Sequence, residues 1–280
     1  MHHLRTALLY GTSATRVLRR ARFKPSFRTD ERLIFVVGSP RSGTTFLAGT
    51  LGRQVGLVDL GEVTPFKASV AQLATLPEDV AAQQLRRTLE LVRRLALAGH
   101  LRGVEQTPET AFVLRAALVA YPQARAVHLV RDGRDVVCSL LERGWLSADG
   151  DGKDDARLAY GAHPRFWVEP ERAEEFRRVS DARRAAWAWR RYVSAARSVR
   201  DERVLELRYE ELVADRPVIG SRLAAHLGLD PAPLTASLAR AFASSVGRWR
   251  RDLDAQQVAD VEAEAGPLLA ELGYGKAGGV

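Results

Sequence analysis

Eight residues near the start of the chain carry groups suited to holding an anion. Gly38-Ser39-Pro40-Arg41-Ser42-Gly43-Thr44-Thr45 puts a guanidinium, several hydroxyls and two glycines into one turn. Arg41, Ser42, Thr44 and Thr45 can all donate hydrogen bonds to an oxyanion, and the charge-assisted ones are the stronger kind. Residues 33–37 before the turn are apolar and rich in β-branched types, and a helical apolar pattern begins at Thr44. A short apolar run closed by Gly and Pro predicts a buried parallel strand. Strand, Gly-rich turn and helix bring backbone N–H groups and the positive end of a helix dipole to one point, which makes a phosphate cradle. Gly38 and Gly43 have the spacing of the nucleotide loop G-x-x-x-x-G-K-[ST], yet Thr44 stands where the γ-phosphate lysine belongs. The cation sits inside the loop instead, at Arg41. That suits a nucleotide with a short, phosphate-like 5′ tail and no triphosphate.

Further along, chemistry-bearing residues recur at the ends of predicted elements. Glu62 lies 21 positions after Arg41, in Gly61-Glu62-Val63-Thr64, behind a short extended piece. Taken alone, a single glutamate near a turn reads as a solvated residue. Arg102-Gly103-Val104-Glu105-Gln106-Thr107-Pro108 leads into a predicted helix over residues 109–121, with Thr107 as its cap and Pro108 in its first turn. A second buried strand over residues 126–130 runs into Arg131-Asp132-Gly133-Arg134-Asp135-Val136-Val137-Cys138-Ser139. Arg131 and Ser139 can point at one anion, while Asp132, Arg134 and Asp135 can pair among themselves at a helix start. Cys138 and His128 read as buried, structural residues. A third strand over residues 204–207 ends at Arg208-Tyr209-Glu210-Glu211-Leu212, and Ser244-Ser245-Val246-Gly247-Arg248-Trp249-Arg250 precedes a helix from Asp254.

In this order, the segments resemble the motifs of the PAPS-dependent sulfotransferase family, PAPS being 3′-phosphoadenylyl sulfate. Pro40-Arg41-Ser42-Gly43-Thr44-Thr45-Phe46-Leu47 is similar to the family's 5′-phosphosulfate loop. Gly61-Glu62-Val63-Thr64 resembles the Gly-Glu-Glu-Thr segment that supplies the catalytic base in the tyrosylprotein branch. The resemblance implies a three-layer α/β domain of P-loop type with a central, mainly parallel sheet. It implies transfer of a sulfuryl group from PAPS to a hydroxyl, with release of adenosine 3′,5′-bisphosphate and no metal. Arg41, Ser42, Gly43, Thr44 and Thr45 would hold the phosphosulfate, with Arg41 also acting in catalysis and Glu62 as general base. Arg131, Ser139 and Arg143 would hold the 3′-phosphate, Tyr209 would contact adenine, and Arg248 would reach the nucleotide phosphates. Where many relatives have Glu-Lys-Thr-Pro, this chain has Gln106, so one cationic contact to the sulfuryl group is replaced by a neutral donor. Pro108 occupies the place of the cytosolic branch's histidine base, which favours Glu62. Thr64, Gln106 and Trp167 are the expected acceptor contacts. A P-loop kinase or NTPase, and a nucleotide binder of this fold without turnover, are the alternatives.

The 280 residues suit one α/β domain with a sizeable core. Residues 1–30 are expected to form a basic extension, 31–275 the domain, and 276–280 a flexible tail. The extension carries seven basic residues and no acid before Asp30. It reads as packed on the domain, or as a weak membrane-surface contact. Residues 146–180 open with an acidic, Gly-rich stretch and read as an acceptor lid or a linker. The net charge is +8, with only four lysines, an Arg-rich balance expected of a GC-rich bacterial genome. No nucleic-acid-binding motif accompanies that charge, so the expected partner is a small-molecule, glycan or lipid hydroxyl acceptor rather than nucleic acid. One cysteine allows no intrachain disulfide, and no apolar run has the roughly 18–20 residues of a membrane span. A cytoplasmic setting is the expectation.

Overall fold

The computed structural model describes residues 2–20, 33–98, 101–147, 165–241 and 243–275. In chain order the elements are α1 (His2–Arg20), β1 (Ile34–Val37), α2 (Thr44–Leu51), β2 (Leu57–Gly61), α3 (Thr64–Leu73), α4 (Glu78–Ala98), β3 (Arg102–Glu105), α5 (Leu114–Ala120), β4 (Arg125–Val130), α6 (Gly133–Arg143), α7 (Ala173–Arg178), α8 (Asp181–Arg197), β5 (Val204–Arg208), α9 (Tyr209–Ala214), α10 (Arg216–Leu227), α11 (Pro231–Leu238), α12 (Trp249–Asp252) and α13 (Ala255–Glu271). No described helix is long and apolar enough to cross a membrane. Residues 21–32, 276–280 and most of the expected lid, 148–164, lie outside the described residues.

The chain forms two compact units. The first comprises Met1–Gly38, Gly43–Leu129 and Ala196–Ala241, and the second comprises Ser39–Ser42, Val130–Ala195 and Phe242–Val280. The first unit is built on a five-stranded sheet in the order β2-β3-β1-β4-β5. The pairings β1 with β3, β1 with β4, and β2 with β3 are all parallel. Every residue of β1 is buried, as a continuous apolar run in the middle of a covered sheet requires. Alternate residues face opposite ways: Ile34 and Val36 pack with Leu47 and Leu51 of α2 and with α10 and α11. On the other face the ring of Phe35 lies 6.2 Å from that of Tyr121, which follows α5. The result is an α/β fold with helices on both faces of a parallel sheet.

Two local features shape the edge of that sheet. Asp59 pairs with Val104 and Gly61 with Glu105, so Leu60 is an extra residue, a β-bulge. Gly61 adopts φ +69°, a conformation open to glycine at little cost. The bulge re-aims the chain just before Glu62. Along β2's outer edge lies α1: Ser13 donates to the Leu60 carbonyl at 2.8 Å, Arg16 to Asp59 at 2.5 Å, and Arg20 to the Arg53 carbonyl at 2.7 Å. A helix covering an edge strand prevents it from pairing with another chain. Packing on the sheet is therefore what the basic extension does over residues 2–20.

The second unit is organised by α6, α8 and α13. Its core is aromatic: Trp167 meets Phe176 edge-on at 5.5 Å, and Phe176 meets Trp187 at 5.4 Å. Glu264 of α13 is buried and held by Arg172 and Arg190, each at 2.9 Å. A capping box starts α13, with the Gln257 N–H donating to Asp254 at 2.8 Å.

Two sequence expectations are corrected. The helix over residues 109–121 is a 3-10 turn, Pro108–Val113, followed by α5, and Thr107 does not cap it through its side chain. Thr107 is instead fully buried, and its hydroxyl has no hydrogen-bond partner among the described residues. Residues 74–77, with Pro77 last, separate α3 from α4. Residues 102–105, not read as a strand, form β3. Gly103 fits there because a Cβ would come within 2.7 Å of the Leu60 side chain.

Candidate active site

In the second unit, Arg41 is held in the left-handed region, φ 70°, the sole non-glycine residue so placed among those described. Such a conformation costs of order 1–3 kcal/mol and persists only where the surroundings impose it. Here the surroundings are visible. The Arg41 Nε donates to the Ser139 hydroxyl at 2.9 Å. Arg131 Nη1 donates to the Arg41 carbonyl at 3.3 Å. Trp145, past the end of α6, lies with its ring centroid 5.9 Å from the Arg41 guanidinium. Ser42 beside it is fully buried, and its hydroxyl has no hydrogen-bond partner among the described residues. A buried hydroxyl left open in a turn of donors is a place for an anion's oxygen.

Arg131 is itself buried and also donates to the Ser245 carbonyl, with Asp135 at 3.8 Å. Asp135 accepts the Gly247 N–H at 2.7 Å and the Trp249 N–H at 3.0 Å. Burial, opposed by those two bonds, raises its carboxyl above the ordinary value. The segment over residues 244–250 is thereby fastened to the start of α6. Arg134 pairs with Asp132 at 2.8 Å, as expected of a salt-bridged helix start. Arg143 is exposed at the end of α6. Arg248, expected at the nucleotide phosphates, gives its guanidinium to Glu142 and Asp252. Trp167, expected at the acceptor, is a core residue: its ring is fully buried against Phe176 and Tyr192. The described geometry leaves it a packing role. Burial pushes the Cys138 thiol up to about 12, which makes it inert.

In the first unit, Gly43 ends the loop at φ +96°, and a Cβ there would come within 2.8 Å of the Tyr209 ring. Both facts demand glycine, and they place Tyr209 against the loop. Thr44 and Thr45 open α2. Thr45 donates to Gln106 Oε1 at 3.3 Å, and the Gln106 N–H donates to the Gly61 carbonyl at 3.4 Å. Gln106 thus links the first turn of α2 to the turn carrying Glu62. Thr64 begins α3 and is half-buried.

Two residues given no role in the sequence reading belong to this cluster. Lys67 is buried and donates to Glu62 at 2.7 Å, with Glu109 at 3.9 Å. Glu105 is fully buried; it accepts the Thr107 N–H at 2.8 Å and the Thr110 hydroxyl at 3.1 Å. Burial pushes its carboxyl up to about 8, with Glu62's charge adding to the rise. It is largely protonated at neutral pH. A lysine five residues after a candidate base was the one available signal for Lys67. Nothing in the sequence marks Glu105 as buried.

A parallel α/β sheet whose central strand β1 runs through a turn with Gly38 and Gly43 into α2 defines a P-loop-type architecture. The chain belongs to the sulfotransferase family: the model of that family matches residues 62–233, more than half its length. The sulfotransferase domain of a Synechococcus olefin synthase has a TM-score of 0.51 at 17% identity, covering 88% of this chain and 97% of that one. A sulfotransferase from Alicyclobacillus acidocaldarius gives 0.52 at 17% identity, over 87% and 95%. A mouse sulfotransferase complexed with PAP gives 0.53 at 17% identity, over 93% and 95%. At these identities the likeness is one of fold. No curated protein matches the sequence significantly.

Proposed function

We propose that the protein transfers a sulfuryl group from PAPS to a hydroxyl of an alcohol, phenol or sugar. The observation that carries this reading is the loop: a strained Arg41 next to a buried, unpartnered Ser42 hydroxyl. Residues 41–45 would hold the 5′-phosphosulfate, and Arg131 and Ser139 the 3′-phosphate, with Tyr209 near adenine. When bound, PAPS supplies an activated sulfuryl group and a stable leaving phosphate. The Arg41 guanidinium offsets negative charge on the phosphate oxygen. Glu62, at 31% side-chain exposure, can be reached by an acceptor and takes its hydroxyl proton. The Gln106 amide, whose oxygen accepts from Thr45, offers a neutral N–H donor beside the start of α2.

Two measurements test the reading. Thermal stability is titrated with adenosine 3′,5′-bisphosphate against ADP and ATP. A ligand at a hundredfold excess over Kd adds about 2.7 kcal/mol to the folded state. Selective stabilisation by the bisphosphate is expected, and a larger effect of ATP would favour a kinase. Glu62→Gln should lower kcat about 10²-fold or more while leaving bisphosphate binding unchanged. A near-normal rate would remove Glu62 from the mechanism.

A further inference from the structure

We infer that Lys67 is the positioning residue of the base: its ammonium aims the Glu62 carboxylate and keeps it in one orientation. The inference rests on the reading of Glu62 as base. Lys67 lies on α3, and its backbone N–H is bonded to the Val63 carbonyl at 2.9 Å, so its stem is fixed relative to the Glu62 backbone. Its side chain is 7% exposed and Glu62's is 31% exposed. One end of the pair is therefore locked inside the protein while the carboxylate keeps a face toward solvent. A glutamate at the end of a bulged edge strand would otherwise sample several rotamers, and a reacting group misplaced by about 1 Å can lose on the order of 10²-fold in rate.

The charges around the pair support a role beyond packing. Glu109 lies 3.9 Å from Lys67, and Glu105 of β3 is near enough for the charge of Glu62 to act on it. From α1, the Arg16 guanidinium rests against Gly61. A buried ammonium is expensive, and an apolar side chain of similar volume is often no less stabilising than a buried ion pair. Keeping a lysine here, in a chain with only four, is explained by what the ammonium does for the Glu62 carboxylate, which solvent reaches while Glu105 and Glu109 are buried.

The test compares Lys67→Met/Glu109→Gln, Lys67→Arg and Glu62→Gln with the wild-type protein. The double substitution removes the ammonium without leaving Glu109 as an uncompensated buried charge. With carbon-13 at the glutamate carboxyls, the Glu62 resonance is assigned by its loss in Glu62→Gln. In Lys67→Met/Glu109→Gln that resonance should move to the position of a mobile, exposed glutamate. Turnover with PAPS and 4-nitrophenol should fall about tenfold or more in kcat, with KM for PAPS and bisphosphate binding unchanged. Lys67→Arg should restore both resonance and kcat in large part. An unmoved resonance with unchanged kcat overturns the inference, as does loss of bisphosphate binding, which would make Lys67 a structural residue. If the wild-type protein transfers no sulfuryl group yet the resonance moves as described, the positioning role stands and the sulfotransfer reading falls.

Discussion

Glu105 shows how a single side chain can link pH to stability in this protein. The unfolded chain releases its proton near the ordinary 4.5, whereas burial holds the proton in the folded state to about 8. Between those values the folded state binds more protons than the unfolded one, so stability falls as pH rises through that window. Glu105→Gln cannot ionise and should remove this contribution. Its midpoint of thermal unfolding should be less sensitive to pH between about 5 and 8 than that of the wild-type protein. An unchanged slope would show that Glu105 is ionised in the folded chain. Arg41 makes a second residue-scale point. Its type was readable as an anion ligand, but its left-handed backbone and its bond to Ser139, 98 positions away, were not.

At the scale of elements, the telling arrangement is α1 along β2. Ser13, Arg16 and Arg20 fall at helical spacing on one face and meet, in reverse order, the chain from Arg53 to Leu60. The Asp59 carboxylate joins this contact to the bulge, since it also accepts the Gly61 N–H at 2.8 Å. The Arg16–Asp59 pair is 41% and 22% exposed, so Arg16→Ala should cost no more than about 1 kcal/mol in a denaturant titration. Removing residues 1–20 is a larger change, because it uncovers the edge strand itself. The truncated chain should self-associate, and light scattering would show it. A truncated chain that stays monomeric would mean that α1 is not what protects β2.

At the scale of the molecule, two cores of different composition appear. The first unit buries a mainly aliphatic cluster on the Ile34 and Val36 face of its sheet, and the second buries a cluster of aromatic rings. Trp167 belongs to the second, so Trp167→Ala should destabilise that unit by about 3–5 kcal/mol, read from urea unfolding. A tryptophan serving only an acceptor would show almost no such loss. Within the second unit, two arginines, Arg172 and Arg190, share the one buried carboxylate of Glu264.

What the amino-acid sequence determined by itself was local: apolar runs that became β1, β4 and β5, the glycines of the loop, and the residue types able to bind an anion or take a proton. These were legible because strand burial and turn geometry leave short-range patterns. The short strand β3 was not, since Arg102-Gly103-Val104-Glu105 has a single large apolar side chain and its burial depends on neighbours distant in sequence. Tertiary structure alone decided that Trp167 is core, that Arg248 is occupied by Glu142 and Asp252, that Glu105 keeps its proton, and that Lys67 grips Glu62. Each of these depends on burial and on charge brought together by folding. Neither is a property of a residue's type or of its place in the chain.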